Sequence, residues 1–456
     1  MQSMEFESII VALREEILPR RQSYHIETYG CQMNNRDSET IAGILTQIGY
    51  EKAADKASAD LLLFNTCCVR DHAEKRVFGN IGALKERKEL NPHCIIGVCG
   101  CMMQQEAVAK KLMTRFPFVD LVFGTHVLHR LPAMLSRVLS GERVIEINRD
   151  ECSLVEGLVA ERPSGVSAFV NIMYGCDNYC AYCIVPYVRG RERSRKPKDI
   201  ISEIEGLVTN GRTEITLLGQ NVNSYGNGSL GDSFPGLLHK IAAIPGLRRI
   251  RFMSSHPKDL TDELIDAMAS LAPVCHHLHL PVQSGSDSVL ARMNRGYTAA
   301  HYRGIVEKLR ARIPDLELTT DIIVGFPGET EEEFEQTLSL IQQVGYTAAF
   351  TFKYSPRSGT AAAVMPNQVS DVVKRERLKR LNDLQATITA TAGKKHIGYI
   401  GEVLVEGCDT RDPDLIFGKF GNARMVYFSG NAELVGSYVQ VRVTRARRNS
   451  LFGEML

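Results

Sequence analysis

The sequence predicts an α/β protein in three parts: an N-terminal α/β domain on a parallel sheet, a central partial (β/α)6 barrel, and a small C-terminal all-β barrel. Short apolar runs alternate with amphipathic helical patterns over most of the chain, which is typical of parallel sheets covered by helices. From His396 onward the pattern changes to short runs rich in Val, Tyr and Phe, separated by glycines. That change is typical of a small barrel of short strands.

Composition and charge narrow the class of protein. Of the 456 residues, 44% are hydrophobic and 23% are charged, as in a globular protein. The 54 Lys and Arg residues nearly balance the 53 Asp and Glu residues, which gives a formal net charge of +1. This balance argues against a protein that is basic throughout, but it allows a local basic groove. Because no apolar run suits a membrane span or a signal peptide, we expect a cytoplasmic protein with no membrane partner.

The first part begins with a helical extension, residues 1–22, whose apolar side chains recur at helical spacing. Residues 23–148 then form the first predicted domain. Its strands are predicted at Tyr24–Tyr29, Leu61–Phe64, Ile95–Val98 and Leu121–Phe123. Helices are predicted at 37–48, 70–90, 104–116 and 127–139. A linker is expected at 149–167, where Pro163, Ser164 and Gly165 interrupt the pattern.

The central part, residues 168–392, repeats the alternation on a larger scale. Its strands are predicted at Phe169–Met173, Glu214–Leu218, Arg249–Phe252, His277–Leu280, Leu316–Ile323 and Ala348–Phe352. Six strands predict an incomplete barrel, because eight would close one. Thr330 and Glu333 predict a capping box at the start of a helix over 331–344. A basic helix over 373–392 is expected to lead into the all-β module, residues 393–456.

The strongest local signal is the group Cys176, Cys180 and Cys183, after the first barrel strand. Three thiolates within eight residues can reach one soft metal centre. A four-iron cluster held by three thiolates keeps one iron open to a small ligand. Zinc is the alternative, but zinc sites favour C-x2-C pairs with a fourth ligand nearby.

A second set of cysteines is dispersed along the first domain. Cys31, Cys67 and Cys101 each follow a predicted strand, and the carboxyl ends of parallel strands line one crevice. Three equivalent positions are hard to explain as core packing, so a second metal or cluster site is predicted. Cys68 leaves open which thiol of the Cys67–Cys68 pair is the ligand, and Cys99 shares a strand face with Cys101. Packing roles are expected for Cys94, Cys99, Cys152, Cys275 and Cys408, with lining of the crevice as the alternative for Cys99.

The spacing of the first set, with Tyr182 before its last cysteine, resembles the radical S-adenosylmethionine superfamily. Both sets together resemble its methylthiotransferase family over nearly the whole chain, with a C-terminal module similar to a TRAM domain. The segments 29–34, 65–70 and 100–102 resemble the MiaB type, which acts on N6-isopentenyladenosine at position 37 of tRNA. The resemblance implies two [4Fe-4S] clusters, one on each cysteine set, and S-adenosylmethionine as both methyl donor and source of a 5′-deoxyadenosyl radical.

Segments at the carboxyl ends of the barrel strands are candidates for contact with S-adenosylmethionine. Glycine lets a backbone approach a ligand closely, and amide side chains can bond its polar groups. By resemblance, the expected cofactor neighbours are Tyr182, Gly219, Gln220, Asn221, Gln283, Ser284 and Asp321. The alternative is that the Gly, Ser and Asn residues here are simply turn residues.

Two basic patches are candidates for phosphate contacts with RNA. One follows the cysteine loop and includes Arg189, Arg191, Arg193 and Arg195. The other, in the all-β module, includes Arg442, Arg445, Arg447 and Arg448, of which Arg445 and Arg447 are the predicted contacts. The alternative is a solvated surface. The implied partner is the anticodon stem-loop of tRNA, with the target base flipped into the barrel.

The function that the resemblance implies is insertion of a methylthio group at C2 of N6-isopentenyladenosine in tRNA. The expected protein is a monomer that receives electrons from a donor such as flavodoxin or ferredoxin. Alternatives within the family are methylthiolation of an aspartate in a ribosomal protein or of threonylcarbamoyl-adenosine in tRNA. An alternative of another class is a non-catalytic iron-sulfur protein that binds RNA or senses redox state; such a protein would not cleave S-adenosylmethionine.

Overall fold

The computed structural model describes residues 2–68, 71–148, 155–163, 165–227, 231–412, 414–447 and 450–456. The chain divides into two compact units. The first unit comprises Met1–Pro163, Tyr174–Asp177 and Ile184–Arg193. The second unit comprises Ser164–Met173, Asn178–Cys183 and Ser194–Leu456. Thus the second unit contains both predicted barrels, whereas two short segments around the cysteine loop belong to the first unit.

Some predicted features lie outside the described residues. They are Val69 and Arg70 of one motif, linker residues 149–154 and 164, Cys152, and Arg448. Among the described helices, none is long and apolar enough to cross a membrane.

The described part of the first unit is built on one six-stranded sheet of order β2-β1-β3-β4-β5-β6, in which every pairing is parallel. The strands are β1 (Ser23–Thr28), β2 (Glu51–Lys52), β3 (Leu61–Thr66), β4 (Ile95–Gly100), β5 (Leu121–Phe123) and β6 (Val144–Glu146). The helices are α1 (Gln2–Ile17), α2 (Gln32–Ile48), α3 (Asp71–Gly82), α4 (Lys85–Leu90), α5 (Glu106–Arg115), α6 (Leu131–Leu139) and α7 (Val185–Arg189). The predicted helix over 70–90 is therefore two helices.

The two central strands of this sheet, β3 and β4, lie in the core and position the cysteine loops that follow them. All six residues of β3 and all six of β4 are buried, because core side chains pack on both faces of the sheet. In the register of these strands, Asn65 pairs with Cys99 and Thr66 pairs with Gly100. Consequently the loops that carry Cys67 and Cys101 leave the sheet side by side.

The second unit contains the predicted incomplete barrel. The strands of this region are β7 (Ser167–Asn171), β8 (Met173–Tyr174), β9 (Arg193–Ser194), β10 (Glu214–Leu218), β11 (Arg249–Phe252), β12 (His277–His279), β13 (Glu317–Val324) and β14 (Ala348–Lys353). The helices are α8 (Pro197–Thr209), α9 (Phe234–Ala242), α10 (Asp262–Ser270), α11 (Asp287–Arg292), α12 (Ala299–Arg312), α13 (Glu331–Val344) and α14 (Asp371–Lys394). Strands β7, β10 and β11 form one parallel sheet, and β12 to β14 form another. A parallel bridge pairs Ile250 of β11 with Val274, which precedes β12.

Local signals within this barrel act as the sequence predicts. The capping box at α13 is confirmed: the Thr330 side chain accepts from the Glu333 backbone, and the Glu333 carboxylate accepts from the Thr330 backbone at 2.9 Å. In the described residues of both units, short 3-10 helices also occur, at Leu18–Arg20, Thr125–Arg130, Val222–Ser224, Pro257–Asp259, Ala361–Val364 and Ala432–Leu434.

The predicted C-terminal β-barrel is also present and is closed, with strand order β15-β16-β17-β19-β18. Its strands are β15 (Ile400–Cys408), β16 (Leu415–Phe420), β17 (Met425–Ser429), β18 (Tyr438–Arg447) and β19 (Ser450–Met455). It packs at the amino ends of the central strands, where Arg249 donates to the carbonyls of Lys419 at 2.8 Å and Glu402 at 2.7 Å. Active sites of such barrels lie at the carboxyl ends of the strands, which is the end opposite to the C-terminal β-barrel.

Candidate active site

In the first unit, glycines with positive φ precede two of the predicted cysteine ligands. Gly30 (φ +121°) stands before Cys31, and Gly100 (φ +94°) stands before Cys101. A Cβ atom on Gly30 would lie 2.6 Å from Cβ and 3.0 Å from Sγ of Cys67. The loop that carries Cys31 therefore passes directly against Cys67, and only glycine allows that approach.

Asn34 ties the cysteine loops of the first unit together. Its Nδ2 donates to the carbonyls of Tyr29 at 2.8 Å and Thr66 at 3.0 Å, which belong to two different loops. Its Oδ1 accepts from Arg189 Nη2 at 2.9 Å and lies 3.6 Å from Cys101 Sγ. Asn34 is fully buried, so these bonds position the loops without competition from water.

Arg189 lies at the centre of this site, although the sequence predicted that it contacts RNA. It is 5% exposed, and its Nε donates to Cys101 Sγ at 3.2 Å. Its Nη2 also donates to Asp37 at 2.6 Å. The structure therefore differs from the expectation, because a guanidinium held by a carboxylate and a sulfur inside the protein is not available to a phosphate.

The two buried thiols Cys68 and Cys101 share a hydrogen bond. The pKa of Cys101 is lowered to about 6, first because Cys68 donates a hydrogen bond to it and also because Arg189 lies beside it. The same hydrogen bond and burial raise the pKa of Cys68. Burial raises the pKa of Cys99. The lowered pKa favours the thiolate form of Cys101, which is the form that binds metal. Cys67 lies against Gly30.

The donor set of this edge fits an iron-sulfur cluster in its chemistry, since soft thiolates are the ligands that such clusters require. Arg189 donates a hydrogen bond to Cys101 Sγ, and its positive charge also interacts with the thiols of Cys31 and Cys68. Among the described residues, no three or more His, Cys, Asp or Glu side chains are grouped so that they could hold a metal ion.

The second cysteine group is divided between the two units. Cys176 belongs to the first unit and follows Gly175 (φ +76°), and its backbone N–H donates to the Gly190 carbonyl at 3.2 Å. Cys180 and Cys183 belong to the second unit, with Tyr182 between them.

In the second unit, the turn at 293–295 holds the cysteine loop. The backbone N–H of Ala181 donates to the Met293 carbonyl at 2.9 Å, and Asn294 Nδ2 donates to the Tyr179 carbonyl at 3.0 Å. Arg295 also binds the cysteine loop, because its Nη1 donates to Cys180 Sγ at 3.3 Å.

Arg295 also fixes the aromatic residue that the sequence assigned to the cofactor. Its Nη1 lies 3.3 Å from Tyr182 Oη, its Nη2 donates to the Pro281 carbonyl at 2.8 Å, and its Nε donates to Tyr297 Oη at 3.0 Å. Arg295 is 4% exposed. Its place is therefore determined by four partners around the cysteine loop.

Buried polar atoms without a partner collect at the carboxyl ends of β10 and β11. In the described residues they are Asn221 Oδ1, Asn223 Oδ1, Ser255 Oγ and His256 Nε2. A native protein usually pairs such atoms, so a group of them in one region indicates a polar ligand. The backbone is strained in the same region, because Ser254 (φ +66°) is one of the few residues other than glycine with positive φ.

The other predicted cofactor residues differ in how they are placed. Asn221 donates to Asp259 at 2.6 Å, which orients its amide. Gln283 has φ +70° and exchanges backbone hydrogen bonds with β13. Asp321 lies 3.5 Å from His279 Nε2 and is 31% exposed.

Two of the predicted cofactor residues face the protein. Ser284 is fully buried, and its hydroxyl lies 3.2 Å from Thr337 of α13. A Cβ atom on Gly219 would lie 2.5 Å from Met173, so the close approach at this glycine is to a side chain of the protein. The Ser284 hydroxyl thus has a partner within the protein, whereas a backbone contact of Gly219 with the cofactor stays a prediction.

The remaining predicted RNA-binding arginines divide by exposure. Arg195 is buried, and its guanidinium bonds Glu203 and the Asn171 carbonyl, each at 2.7 Å; this differs from the expected phosphate contact. Arg191 is exposed and pairs with Asp177 at 3.0 Å. Arg193 donates to the Arg189 carbonyl at 2.9 Å.

On the C-terminal barrel the basic patch is exposed and lies beside aromatic rings. Arg445 and Arg447 lie over the Phe452 ring, at 4.6 Å and 5.9 Å from its centroid. The rings of Tyr427 and Phe452 are stacked with centroids 5.7 Å apart, and Phe417 is 5.7 Å from Tyr427 on the other side. Arginines beside stacked aromatic rings are typical of a surface that binds single-stranded RNA.

Each of the three predicted parts of the chain matches a known protein family. Residues 23–124 match the family described as Uncharacterized protein family UPF0004, residues 170–341 match the Radical SAM superfamily, and residues 394–456 match the TRAM domain. A tRNA-2-methylthio-N(6)-dimethylallyladenosine synthase of Caldicellulosiruptor saccharolyticus is 52% identical over 440 residues, which are 96% of this chain and 93% of the relative. One of Clostridium beijerinckii is 51% identical over 437 residues, which are 95% of this chain and 96% of the relative.

The chain belongs to the tRNA-2-methylthio-N(6)-dimethylallyladenosine synthase family. As a member of this family it is a radical S-adenosylmethionine enzyme that uses iron-sulfur clusters, as the cysteine motifs indicated. Among solved structures, the radical S-adenosylmethionine methyltransferase TsrM from Kitasatospora setae matches with a TM-score of 0.54 and 14% identity, over 75% of this chain and 74% of that chain. At that identity the likeness supports the fold.

Several residues of this synthase-family site escaped the sequence analysis. Arg295 and Asn34 contact predicted ligand loops, and Ser255 and His256 carry unpartnered buried atoms. Asn34 stood within a motif segment, which is a usable signal. Arg295 lies more than a hundred residues from the cysteine that it contacts, so only tertiary structure could have found it.

Proposed function

We propose that the protein transfers a methylthio group to C2 of N6-dimethylallyladenosine at position 37 of tRNA. The observation that supports this most is that one chain carries two three-cysteine sets at strand ends and matches the synthases over more than nine tenths of its length. The C2–H bond is not acidic enough for a side chain to deprotonate near neutral pH, which explains why radical chemistry is used.

In this proposal, Cys31, Cys67 and Cys101 hold one [4Fe-4S] cluster, and the set at 176, 180 and 183 holds the other. When bound, the clusters supply the electron for cleavage of S-adenosylmethionine and an open iron for the transferred sulfur. The protein supplies the frame: Asn34 fixes the first set of loops, and the 293–295 turn fixes the cysteine loop of the second unit.

S-adenosylmethionine is proposed to bind at the carboxyl ends of the barrel strands. Asn221, Asn223, Ser255 and His256 would bond its polar groups, because their buried atoms lack partners in the described structure. Gln220, Gln283 and Asp321 remain proposed neighbours, since Gln220 follows β10, Gln283 follows β12 and Asp321 lies in the carboxyl half of β13. Gly219 and Ser284 would support these loops from within.

The tRNA is proposed to contact the C-terminal barrel through Arg445, Arg447 and the rings of Phe417, Tyr427 and Phe452. Positive charge would bind the backbone of the anticodon stem-loop, and the rings would stack on unpaired bases. Arg191 and Arg193 would contribute near the cysteine loop. The target base then has to leave its stack to reach the barrel.

The protein is proposed to act as a cytoplasmic monomer that receives electrons from a flavodoxin or ferredoxin. A direct test of the function uses anaerobically reconstituted protein with dithionite, S-adenosylmethionine and tRNA that carries N6-dimethylallyladenosine. A gain of one methylthio mass on that nucleoside is expected. Cys176→Ala should abolish formation of 5′-deoxyadenosine, whereas Cys31→Ala should abolish the mass gain while cleavage of S-adenosylmethionine continues.

Two results would overturn the proposal. Formation of 5′-deoxyadenosine without a mass gain on the tRNA would keep the radical enzyme and move its target to another nucleoside or to a ribosomal protein. Binding of tRNA without any cleavage of S-adenosylmethionine would indicate a non-catalytic iron-sulfur protein.

A further inference from the structure

Each of the two cysteine sets has a buried arginine that donates a hydrogen bond to one of its sulfur atoms. Arg189 Nε lies 3.2 Å from Cys101 Sγ, and Arg295 Nη1 lies 3.3 Å from Cys180 Sγ. The two side chains are 5% and 4% exposed. Burying a guanidinium is costly, so its repetition at both cysteine sets requires an explanation.

The contacts of Arg189 fix its orientation. Asp37 accepts from Nη2 at 2.6 Å, and Asn34 Oδ1 accepts from the same nitrogen at 2.9 Å. These two partners leave Nε directed at Cys101, and the Asp37 carboxylate balances the charge of the guanidinium. Arg189 therefore contributes to the sulfur mainly as a hydrogen-bond donor, since its charge is paired with a carboxylate.

The contacts of Arg295 differ in charge. Besides the sulfur, its partners are Tyr182 Oη, the Pro281 carbonyl and Tyr297 Oη, all of which are neutral groups. The guanidinium keeps its charge although it is buried, because an arginine side chain is not deprotonated in proteins. Arg295 therefore brings both a donor N–H and a positive charge to Cys180.

We propose that Arg189 and Arg295 are positioning residues that set the reduction potentials of the two clusters, each through its N–H···S hydrogen bond, given the cluster ligands proposed above. Reduction adds negative charge to the cluster and its sulfur atoms. A donor N–H or a cation beside a ligand sulfur stabilises the reduced form more than the oxidised form, so it raises the potential. The neutral partners of Arg295 predict the larger effect at the cluster of Cys176, Cys180 and Cys183.

The test measures each cluster separately in the full-length chain. Replacing the cysteines at 176, 180 and 183 by alanine leaves the first cluster, and replacing those at 31, 67 and 101 leaves the second. On these backgrounds, Arg189→Met with Asp37→Asn and, separately, Arg295→Met are titrated with reductant while the reduced cluster is followed by electron paramagnetic resonance. The paired Asp37→Asn change avoids leaving a buried carboxylate unpaired.

Each arginine variant is expected to lower the potential of its own cluster and to leave the other cluster unchanged. For Arg295→Met we expect at least a tenfold fall in the ratio of reduced to oxidised cluster at a given potential, which corresponds to about 59 mV for one electron. Arg137→Met and Arg312→Met serve as matched controls, because each of these arginines is exposed and pairs with a surface carboxylate. Neither control should move either potential.

A measurement on the unaltered chain makes the outcome independent of how well the variants fold. Chain labelled with 15N in the arginine guanidinium groups should show a 15N hyperfine coupling to each reduced cluster by pulsed electron paramagnetic resonance, and Arg295→Lys should remove one of them. Unchanged potentials together with no coupling overturn the proposal.

Iron content separates this proposal from the cluster assignment. If a chain in which one cysteine set is replaced by alanine keeps its full iron content, the ligand sets of the proposed function are wrong. If iron falls by half as expected but the arginine variants leave the potentials unchanged, the cluster assignment stands and only the role of the arginines fails.

Discussion

Replacing Gly100 by alanine tests whether the backbone before Cys101 is as constrained as the structure shows. Gly100 ends β4 with φ +94°, a conformation that an L-residue rarely adopts. A Cβ atom there would lie 2.5 Å from the carbonyl oxygen and 2.7 Å from the nitrogen of Thr66, and it would also meet Asn65 Oδ1. These are mostly backbone atoms of the neighbouring strand, so a side-chain rotation cannot relieve the overlap.

The cost of Gly100→Ala has two parts. The left-handed backbone costs about 1–2 kcal/mol for a residue with a Cβ atom, and the overlap with packed atoms costs about 1–3 kcal/mol more. Gly79 provides a matched control, because it lies in α3 and no described atom comes within 4 Å of its Cβ position. Gly79→Ala should stabilise the protein by roughly 1 kcal/mol, so the two variants should differ by about 3–6 kcal/mol.

The difference can be measured as the urea concentration at the midpoint of unfolding, and as iron bound per chain after anaerobic reconstitution. Gly100→Ala should unfold at lower urea and lose about half of the iron, because the displaced loop carries Cys101. Gly79→Ala should keep the full iron content. An equal midpoint and equal iron in the two variants would refute the reasoning that the turn before Cys101 requires glycine.

Three further predictions follow from buried or exposed charges. Arg377→Met should lower the free energy of unfolding by about 3–5 kcal/mol, because Arg377 and Glu329 form a buried ion pair at 2.8 Å; a loss below 1 kcal/mol in urea unfolding would contradict this. Burial lowers the pKa of His256 to about 2, so the unfolded chain takes up a proton that the folded chain refuses. Stability from this residue is complete above about pH 6.5 and falls as pH drops below it, and His256→Asn should flatten that part of the dependence of the unfolding midpoint on pH. Arg445→Gln should weaken tRNA binding and reduce the slope of log affinity against log salt concentration by about 1. Lys379→Gln, on the exposed face of α14, should change neither. If a filter-binding titration shows an unchanged slope for Arg445→Gln, Arg445 does not belong to the RNA surface.

The sequence predicted the fold class and most element positions, because these depend on local pattern. Strand β10 at Glu214–Leu218, strand β11 at Arg249–Phe252 and helix α13 at Glu331–Val344 have the predicted bounds. Alternating apolar runs report which face of an element is buried, and Thr330 with Glu333 reports where a helix begins. The family resemblance likewise rested on short motif segments around the cysteines, each of which can be read locally.

Roles that depend on distant partners could not be read in this way. The basic run that begins at Arg189 predicted phosphate contacts with RNA, yet Arg189 and Arg195 are buried beside carboxylates. Ser284 stood in a promising loop, but its hydroxyl faces α13. A run of charges shows the composition of a segment and not which side chain meets a carboxylate or a sulfur from elsewhere in the chain.

The sequence by itself therefore determined the fold class and the family, and it predicted which cysteines bind the clusters. Only the tertiary structure decided that Arg189 and Arg295 donate to sulfur, that Asn34 binds two loops, and that Ser255 and His256 carry unpartnered atoms. The physical reason is range. Secondary structure follows from side-chain periodicity over a few residues, whereas a hydrogen bond to a buried sulfur depends on an approach within a few ångströms that the packing of the whole unit sets.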